Sequence, residues 1–397
     1  MINKIVAINF LDRMIYLFIC AYVTLSCTEM LGAMHFMRAA VILGIIRFMM
    51  KPLRITIQTN HFWYIGAFFL AILSTIFFDS GNYYEGTKLL RLEYLAKMIP
   101  MVLMLLFIKK EQIRNILLCF MASLCITNLY ALWQVFHGFT RVGGLSGGAM
   151  QLGGALILLV PLTVLLIINK EYMPSAYRPF LIITLLLEIP VVFFNATRIT
   201  WIILMIVIPL LLLFVQKNKK KAIAYSLILV ILFIGICNSI PQAQERLNVM
   251  FDKSYHNNSE RLLMWQSAWS MFTDHPFTGV GLGNYQEQYY GKYISPLANE
   301  LTVVHAHNNM IHLAATTGLL GVVAYIAMFG YFLYESLRKW RYKKTIAPLI
   351  FFFATLGFLI EGMTDYTIGF GNLTVKIYWM LLAIYLVLDG AVSVEDR

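Results

Sequence analysis

The chain has 397 residues, 60% of them apolar and 13% charged, whereas an ordinary soluble domain carries roughly 25% charged residues. That apolar share, about 238 residues, approaches twelve membrane spans of ~20 residues each. A soluble core cannot hide so much apolar surface, so a soluble enzyme, a nucleic-acid binder and a secreted disulfide scaffold are excluded. The net charge of +11 therefore bears first on membrane topology rather than on a polyanionic partner.

Long apolar runs lie in chain order near 14–34, 35–50, 62–79, 90–108, 115–136 and 150–169. Six more follow near 180–195, 199–216, 222–240, 316–337, 346–364 and 372–389. The second is short and interrupted by Arg38 and Arg47. The runs predict an all-α, polytopic membrane helix bundle of about twelve transmembrane helices. Its organisation is spans 1–9 over residues 1–240, one large outer loop over 241–315, and spans 10–12 with an inner tail over 316–397. With both termini inside, 20 of the 31 Lys and Arg fall on inner loops and tails, which is the positive-inside pattern. The run Lys217 to Lys221 reads as an inner-leaflet anchor. No cleavable signal peptide is expected. The five cysteines fall within or at the edges of spans and are expected as small core residues.

The segment from about Ile240 to Ala315 breaks the rhythm of spans and short loops. It holds ten charged residues summing to −2. Gln242 to Ser259 is turn-rich and expected to be irregular. Beyond it, Leu262, Trp265, Trp269 and Phe272 recur at steps of three and four, predicting an amphipathic helix on the membrane or on the bundle. Asn258 or Ser259 is the expected cap, and His275–Pro276 the expected end. Gly279, Gly281 and Gly283 in FTGVGLGNY are not a dinucleotide fingerprint, because no strand precedes them and the spacing is wrong. They read as a tight turn that brings the backbone close to something.

Few titratable groups lie on the outer side. His305 and His307 in HAHN are too closely spaced to share one helix face. They could form an interfacial polar turn, chelate a metal if further ligands were supplied, or provide a catalytic base. Arg198 sits in NATRITW between two very apolar spans, where a cation is costly unless paired or solvated; snorkelling to the interface is the alternative. Arg261 opens the amphipathic helix, where the helix dipole disfavours it, unless it pairs with Glu260 or Asp252. Arg141 lies beside a flexible glycine-rich stretch, and Asp365 in GMTDYT could orient a histidine or arginine. Glu29, Glu93 and Glu188 are either a proton path or paired bundle residues. Together the outer groups suggest two arginines that hold a diphosphate by charge-assisted contacts and a histidine that deprotonates an acceptor hydroxyl. No metal or cofactor is expected.

The pieces TRITW (197–201), ERLLMWQSAWSMFTDHPFTGVGLGNY (260–285) and HAHNNMIHLAATTGLLG (305–321) resemble the O-antigen ligase and polymerase superfamily. So does the topology with one large loop after the ninth span. The resemblance implies a bundle related to membrane-embedded glycosyltransferases in the bacterial inner membrane, with cytoplasmic termini and a periplasmic site. It implies metal-independent, inverting transfer of a glycan from undecaprenyl diphosphate to a sugar hydroxyl of the lipid A–core. Residue by residue, Arg198 and Arg261 match the diphosphate-binding arginines and His307 the essential histidine beside Asn308. His305 is the adjacent histidine, Asp365 resembles the acidic residue after the eleventh span, and Arg141 is a further contact to donor phosphate or sugar. A polysaccharide polymerase of the same superfamily is the alternative within that chemistry. A lipid-linked glycan transporter, with groups at the midplane and alternating access, is the alternative of a different class.

Overall fold

The computed structural model describes residues 2–28, 31–78, 83–169, 172–250, 252, 254–369 and 372–396. In chain order the helices are α1 (Ile2–Thr24), α2 (Leu31–Met50), α3 (His61–Phe78), α4 (Tyr83–Leu89), α5 (Ile99–Phe107), α6 (Ile113–Phe136), α7 (Ala149–Ile168) and α8 (Arg178–Asn195). They continue as α9 (Arg198–Val215), α10 (Lys219–Ser239), α11 (Pro241–Asn248), α12 (His256–Asp274), α13 (Tyr285–Gln288), α14 (Asn309–Lys343), α15 (Ile346–Glu361) and α16 (Asn372–Asp389). Among the described residues, eight helices are long and apolar enough to cross a membrane: α1, α2, α6 to α10 and α14. The apolar α3 and α15 are shorter. The expected all-α polytopic class therefore holds.

Several expected boundaries move, each for a local reason. The first run begins at Ile2 rather than 14, so α2 is a full helix of 20 residues packed on α1. Arg47, expected in an inner loop, lies in the last turn of α2 and is only 1% exposed. It is tolerated there because Nε pairs with Asp12 at 2.8 Å and Nη1 donates to the Lys51 carbonyl at 2.7 Å. The run expected at 90–108 is not one helix. A π turn (Leu90–Leu95) and a 3-10 turn (Ala96–Met98) lead into α5, whose start carries Pro100; proline lacks the N–H needed to continue the ladder from below. Two short strands were not expected: β1 (Leu53–Ile57) pairs antiparallel with β2 (Val392–Asp396), Leu53 opposite Asp396. Their pairing joins segments far apart in sequence, which periodicity cannot reveal.

Helix α16 is the centre of the bundle, buried almost throughout between Leu373 and Leu386 and packed on α5, α7 and α15. Helix α10 is the opposite case. Ile223, Leu227, Ile231 and Ile234 are exposed on a helix apolar nearly all round, as suits a surface that faces lipid.

Residues 240–308 are more helical than expected. Gln242–Ser259, expected as irregular, contains α11 and the first turn of α12. Asn258 does not cap α12, which starts earlier at His256, while the end at His275 is as expected. Glu260, Met264, Ser267, Ala268 and Met271 form the buried face of α12, whereas Leu262 and Trp269 are exposed. The apolar stripe that periodicity selected is thus divided: Trp265 and Phe272 are half-buried, while Leu262 and Trp269 are exposed, as the alternative of a helix lying on the membrane allows.

The glycine turn has a definite neighbour. Gly279 (φ +66°) runs against the backbone of Ala315–Thr317, and Gly318 inside α14 (φ +59°, ψ −155°) runs against that of Phe277–Thr278. Val280 N–H donates to Ala315 at 2.8 Å and Leu319 N–H to Pro276 at 2.8 Å, so the turn replaces bonds that the break in α14 releases. A β-carbon on Gly318 would lie 2.4 Å from the Phe277 carbonyl carbon. Gly318→Ala should therefore cost on the order of 2 kcal/mol. A thermal unfolding midpoint in detergent that is clearly below wild type is the expected result; an unchanged midpoint would contradict the close approach.

Candidate active site

Helix α14 begins where the site is built. Asn308 caps it, its side chain accepting the Ile311 N–H at 3.0 Å and donating to the Met363 carbonyl at 2.8 Å. Asn309 N–H donates to Gly362 at 2.6 Å, and its side chain bonds Tyr325, Thr367 and the Ile368 N–H. These bonds fasten 305–309 to the loop after α15. They bring Asp365 Oδ1 to 3.0 Å from His307 Nδ1. Asn308, matched as a residue beside the histidine, is thus a positioning residue.

The short loop before the cap is over-determined. Trp265 Nε1 donates to the Ala306 carbonyl at 2.8 Å, Ala306 N–H reaches His312 Nδ1 at 3.4 Å, and His307 N–H reaches His305 Nδ1 at 3.4 Å. Under these constraints His307 takes φ +48°, a conformation that non-glycine residues rarely adopt without a functional reason. If Nδ1 donates to Asp365, Nε2 is the ring nitrogen that could accept a proton. Burial, followed by the charge of His307, lowers the His305 pKa to about 4, so His305 stays neutral near pH 7. Burial alone would raise the Asp365 carboxyl; the hydrogen bond and charge of His307, with His305, hold it below the ordinary carboxylate range.

The donor atoms of His305, His307 and Asp365 lie within 4.8 Å of one another. The third donor that a His-x-His pair lacks in the sequence is therefore supplied from 58 residues away. This trio is the group among the described residues that could hold a divalent ion.

Beside this loop lies a cavity of about 440 Å³ lined by Arg141, Arg198, Arg246 and Arg261, with Asp252 the acidic residue in its wall. The size suits a small-molecule site. The structure brings the three expected arginines together and adds Arg246 of α11, which the sequence reading missed. In the sequence Arg246 lies beside Glu245 in a polar segment, so little marks it until α11 is placed.

Each arginine is held differently. Arg198 opens α9 and donates to the Val249 carbonyl at 3.0 Å and to Asn258 Oδ1 at 2.9 Å, with its guanidinium 5.6 Å from the Tyr255 ring. Arg246 reaches the Tyr255 hydroxyl at 3.4 Å. The α8–α9 turn that presents Arg198 is fixed by Ala196 in a left-handed conformation. It is also fixed by Trp201, whose indole donates to Val192 at 2.8 Å.

The stretch around Arg141, expected to be flexible, is pinned. Gly143 and Gly144 N–H bond Gln134, Val142 N–H bonds Phe194, and Arg141 itself donates to Thr197 at 3.0 Å. Burial and then the charges of Arg246, Arg198 and Arg261 lower the Arg141 pKa, while the group stays charged. Arg261 lies within α12 rather than opening it. The expected partner Glu260 is turned away, bonding the N–H groups of Asn299 and Glu300. Among the described residues Arg261 has no direct salt bridge. Burial lowers its pKa, and Asp365 and Glu300 oppose that at longer range.

Of the remaining groups, Glu93 pairs with Lys97 at 2.5 Å and Glu188 accepts from Thr163 at 2.7 Å. Glu93 is thus ion-paired, whereas Glu188 is held by Thr163 through one oxygen only, its other oxygen having no partner among the described residues; Glu29 lies outside the described residues. A larger cavity, about 580 Å³, lies among Asp12, Arg13, Arg47, Lys109 and Lys110 at the other end of the 24-residue α6. Its cations are those that topology places inside.

Four cations around one cavity make an arrangement that could hold an anion. Pyrophosphate should raise the thermal midpoint of the purified protein, and Arg261→Ala should weaken its apparent binding about ten- to a hundredfold. Equal binding by wild type and variant would contradict the assignment.

No curated protein matches the chain. Residues 180–326 match the family described as O-antigen ligase. That stretch contains Arg198, Arg246, Arg261, His305, His307 and Asn308, whereas Arg141 and Asp365 lie on either side of it. The match supports the O-antigen ligase superfamily for this chain.

Proposed function

We propose that the protein is an inverting glycosyltransferase acting as an O-antigen ligase. It transfers a glycan from undecaprenyl diphosphate to a sugar hydroxyl of the lipid A–core at the outer face of the inner membrane. The observation that carries this reading is the four-arginine cavity beside the loop that holds the His307–Asp365 pair. Thr364 lines the cavity, and the next residue is the carboxylate that holds His307.

In the proposed step His307 Nε2 takes the proton of the acceptor hydroxyl, and the oxygen attacks the anomeric carbon. The carbon–oxygen bond to the diphosphate breaks, and the electrons leave with the diphosphate. The developing charge meets Arg198, Arg261, Arg246 and Arg141, which do the work a metal would otherwise do. Asp365 fixes the tautomer and steadies the imidazolium that forms. These groups cluster at one end of the bundle, which favours an enzyme over a transporter with a midplane site.

Two results are expected in a detergent assay with lipid-linked glycan and lipid A–core. His307→Ala lowers transfer by about 10²- to 10⁴-fold with the thermal midpoint retained, and Asp365→Asn falls in the same direction. Wild-type transfer by a well-folded His307→Ala protein would sink the assignment. Chelation by EDTA is expected to leave transfer intact, while added Zn²⁺ inhibits by occupying His305, His307 and Asp365; loss of transfer in EDTA would overturn the metal-independent step. A deletion strain separates ligase from polymerase. Long lipid-linked glycan over bare core is the ligase outcome, and core capped by single repeat units is the polymerase outcome.

A further inference from the structure

The cavity of about 580 Å³ at the far end of α6 takes no part in the reaction proposed above. Segments far apart in sequence wall it. Asn9, Asp12, Arg13 and Tyr16 stand at i, i+3, i+4 and i+7 of α1, which is one helix face. The end of α5 and the connection to α6 supply Leu105 to Lys110, and Arg47 comes from the last turn of α2. The unexpected strand pair contributes Leu53 of β1 with Val392, Ser393 and Val394 of β2.

The charge in this lining is unbalanced. Arg13, Arg47, Lys109 and Lys110 share it with one carboxylate, Asp12, and Glu111 is not part of it. Asp12 pairs with Arg47 at 2.8 Å, so the excess lies on Arg13, Lys109 and Lys110. None of these three has a carboxylate partner among the described residues. The positive-inside bias accounts for exposed lysines near the end of a span. It does not require a guanidinium in the wall of a cavity, yet Arg47 is 1% exposed. Burial makes that charge a fixed part of the wall rather than a mobile surface chain. Asn9 and Ser393 add neutral hydrogen-bonding groups.

The rest of the lining is apolar, through Leu105, Leu106, Phe107, Val387 and Val394. The two helices that contribute Arg13 and Arg47 also expose Ile5, Val6 and Phe10 of α1 and Ile45 and Met49 of α2, as helices that face hydrocarbon do. Cations beside apolar walls, on lipid-facing helices, suit an amphiphile whose charged head carries a phosphate. A free phosphate would use the cations and leave the apolar walls in water. The volume lies in the range of small-molecule sites.

We propose that this cavity binds the phosphodiester headgroup of an anionic membrane phospholipid. Arg13, Lys109 and Lys110 hold the phosphate by charge-assisted hydrogen bonds, with the buried Arg47 adding to the positive potential. The acyl chains leave along the apolar lining and the exposed faces of α1 and α2. The bound lipid ties α1 and the α5–α6 connection to the β1–β2 pair. This site is separate from the arginine cavity and does not depend on the transferase reading.

The test is the thermal midpoint of the full chain in uncharged detergent, titrated with phosphatidylglycerol, with phosphatidylcholine of the same acyl chains, or with inorganic phosphate. Phosphatidylglycerol should raise the midpoint at the lowest concentration, and inorganic phosphate over the same range should leave it unchanged. The triple variant Arg13→Gln, Lys109→Gln, Lys110→Gln, altered at exposed positions, should weaken apparent phosphatidylglycerol binding by roughly a hundredfold, about fivefold per cation. The variant Lys219→Gln, Lys220→Gln, Lys221→Gln loses the same charge at the start of α10, outside the lining, and should bind within about twofold of wild type. Ser393→Trp keeps every charge but fills the cavity from an exposed lining position, and should also weaken binding. Equal losses in the two triple variants would mean general surface attraction and overturn the proposal. Wild-type binding by the Arg13, Lys109 and Lys110 variant, or by Ser393→Trp, overturns it too, as does a midpoint shift that inorganic phosphate reproduces.

Discussion

Asn308 and Asn309 fasten the start of α14 to the loop after α15, and the candidate site is arranged around that join. One amide caps the helix while holding the Met363 carbonyl; the other reaches Gly362, Thr367 and Ile368. Through it His307 meets Asp365, and Thr364 becomes part of the wall of the arginine cavity. The unusual backbone of His307 is held in place by Trp265, His312 and His305. Strain of this kind persists only where surrounding contacts over-determine it.

The second constraint is electrostatic. Four arginines around one cavity repel one another, and partial burial removes the water that would screen them. Backbone carbonyls, Asn258, Tyr255 and Thr197 hold individual arginines, and an anion in the cavity would offset the repulsion among them. Asp252 is the acidic residue in the cavity wall, whereas Glu260 bonds the backbone at 299–300 and Asp365 bonds His307.

The helical class, the outer arginines at 141, 198 and 261 and the paired histidines were legible in the sequence because each is improbable in its setting. A cation between two apolar runs or a His-x-His before a span stands out against a membrane composition. Arg246 does not stand out, because it lies beside Glu245 in a polar segment and gains meaning only when α11 folds over Arg198 and Tyr255. Asp365 was read as able to orient a histidine or arginine, and the structure pairs it with His307, 58 positions away in the chain. The helix α12 was legible from its spacing, but which face packs on α14 was not, since Met264, Ala268 and Met271 form the buried face. The β1–β2 pair and the break before α5 depend on long-range register and on Pro100, which an apolar run conceals.

The account turns on the arginine cavity holding a lipid-linked diphosphate against the histidine loop. The most direct test is an experimental structure of the full chain with a non-cleavable polyprenyl-diphosphate glycan. Both phosphates should contact arginines of the group Arg141, Arg198, Arg246 and Arg261, with the anomeric carbon turned toward His307. A diphosphate bound elsewhere, or a sugar turned away from the His307–Asp365 pair, would contradict it.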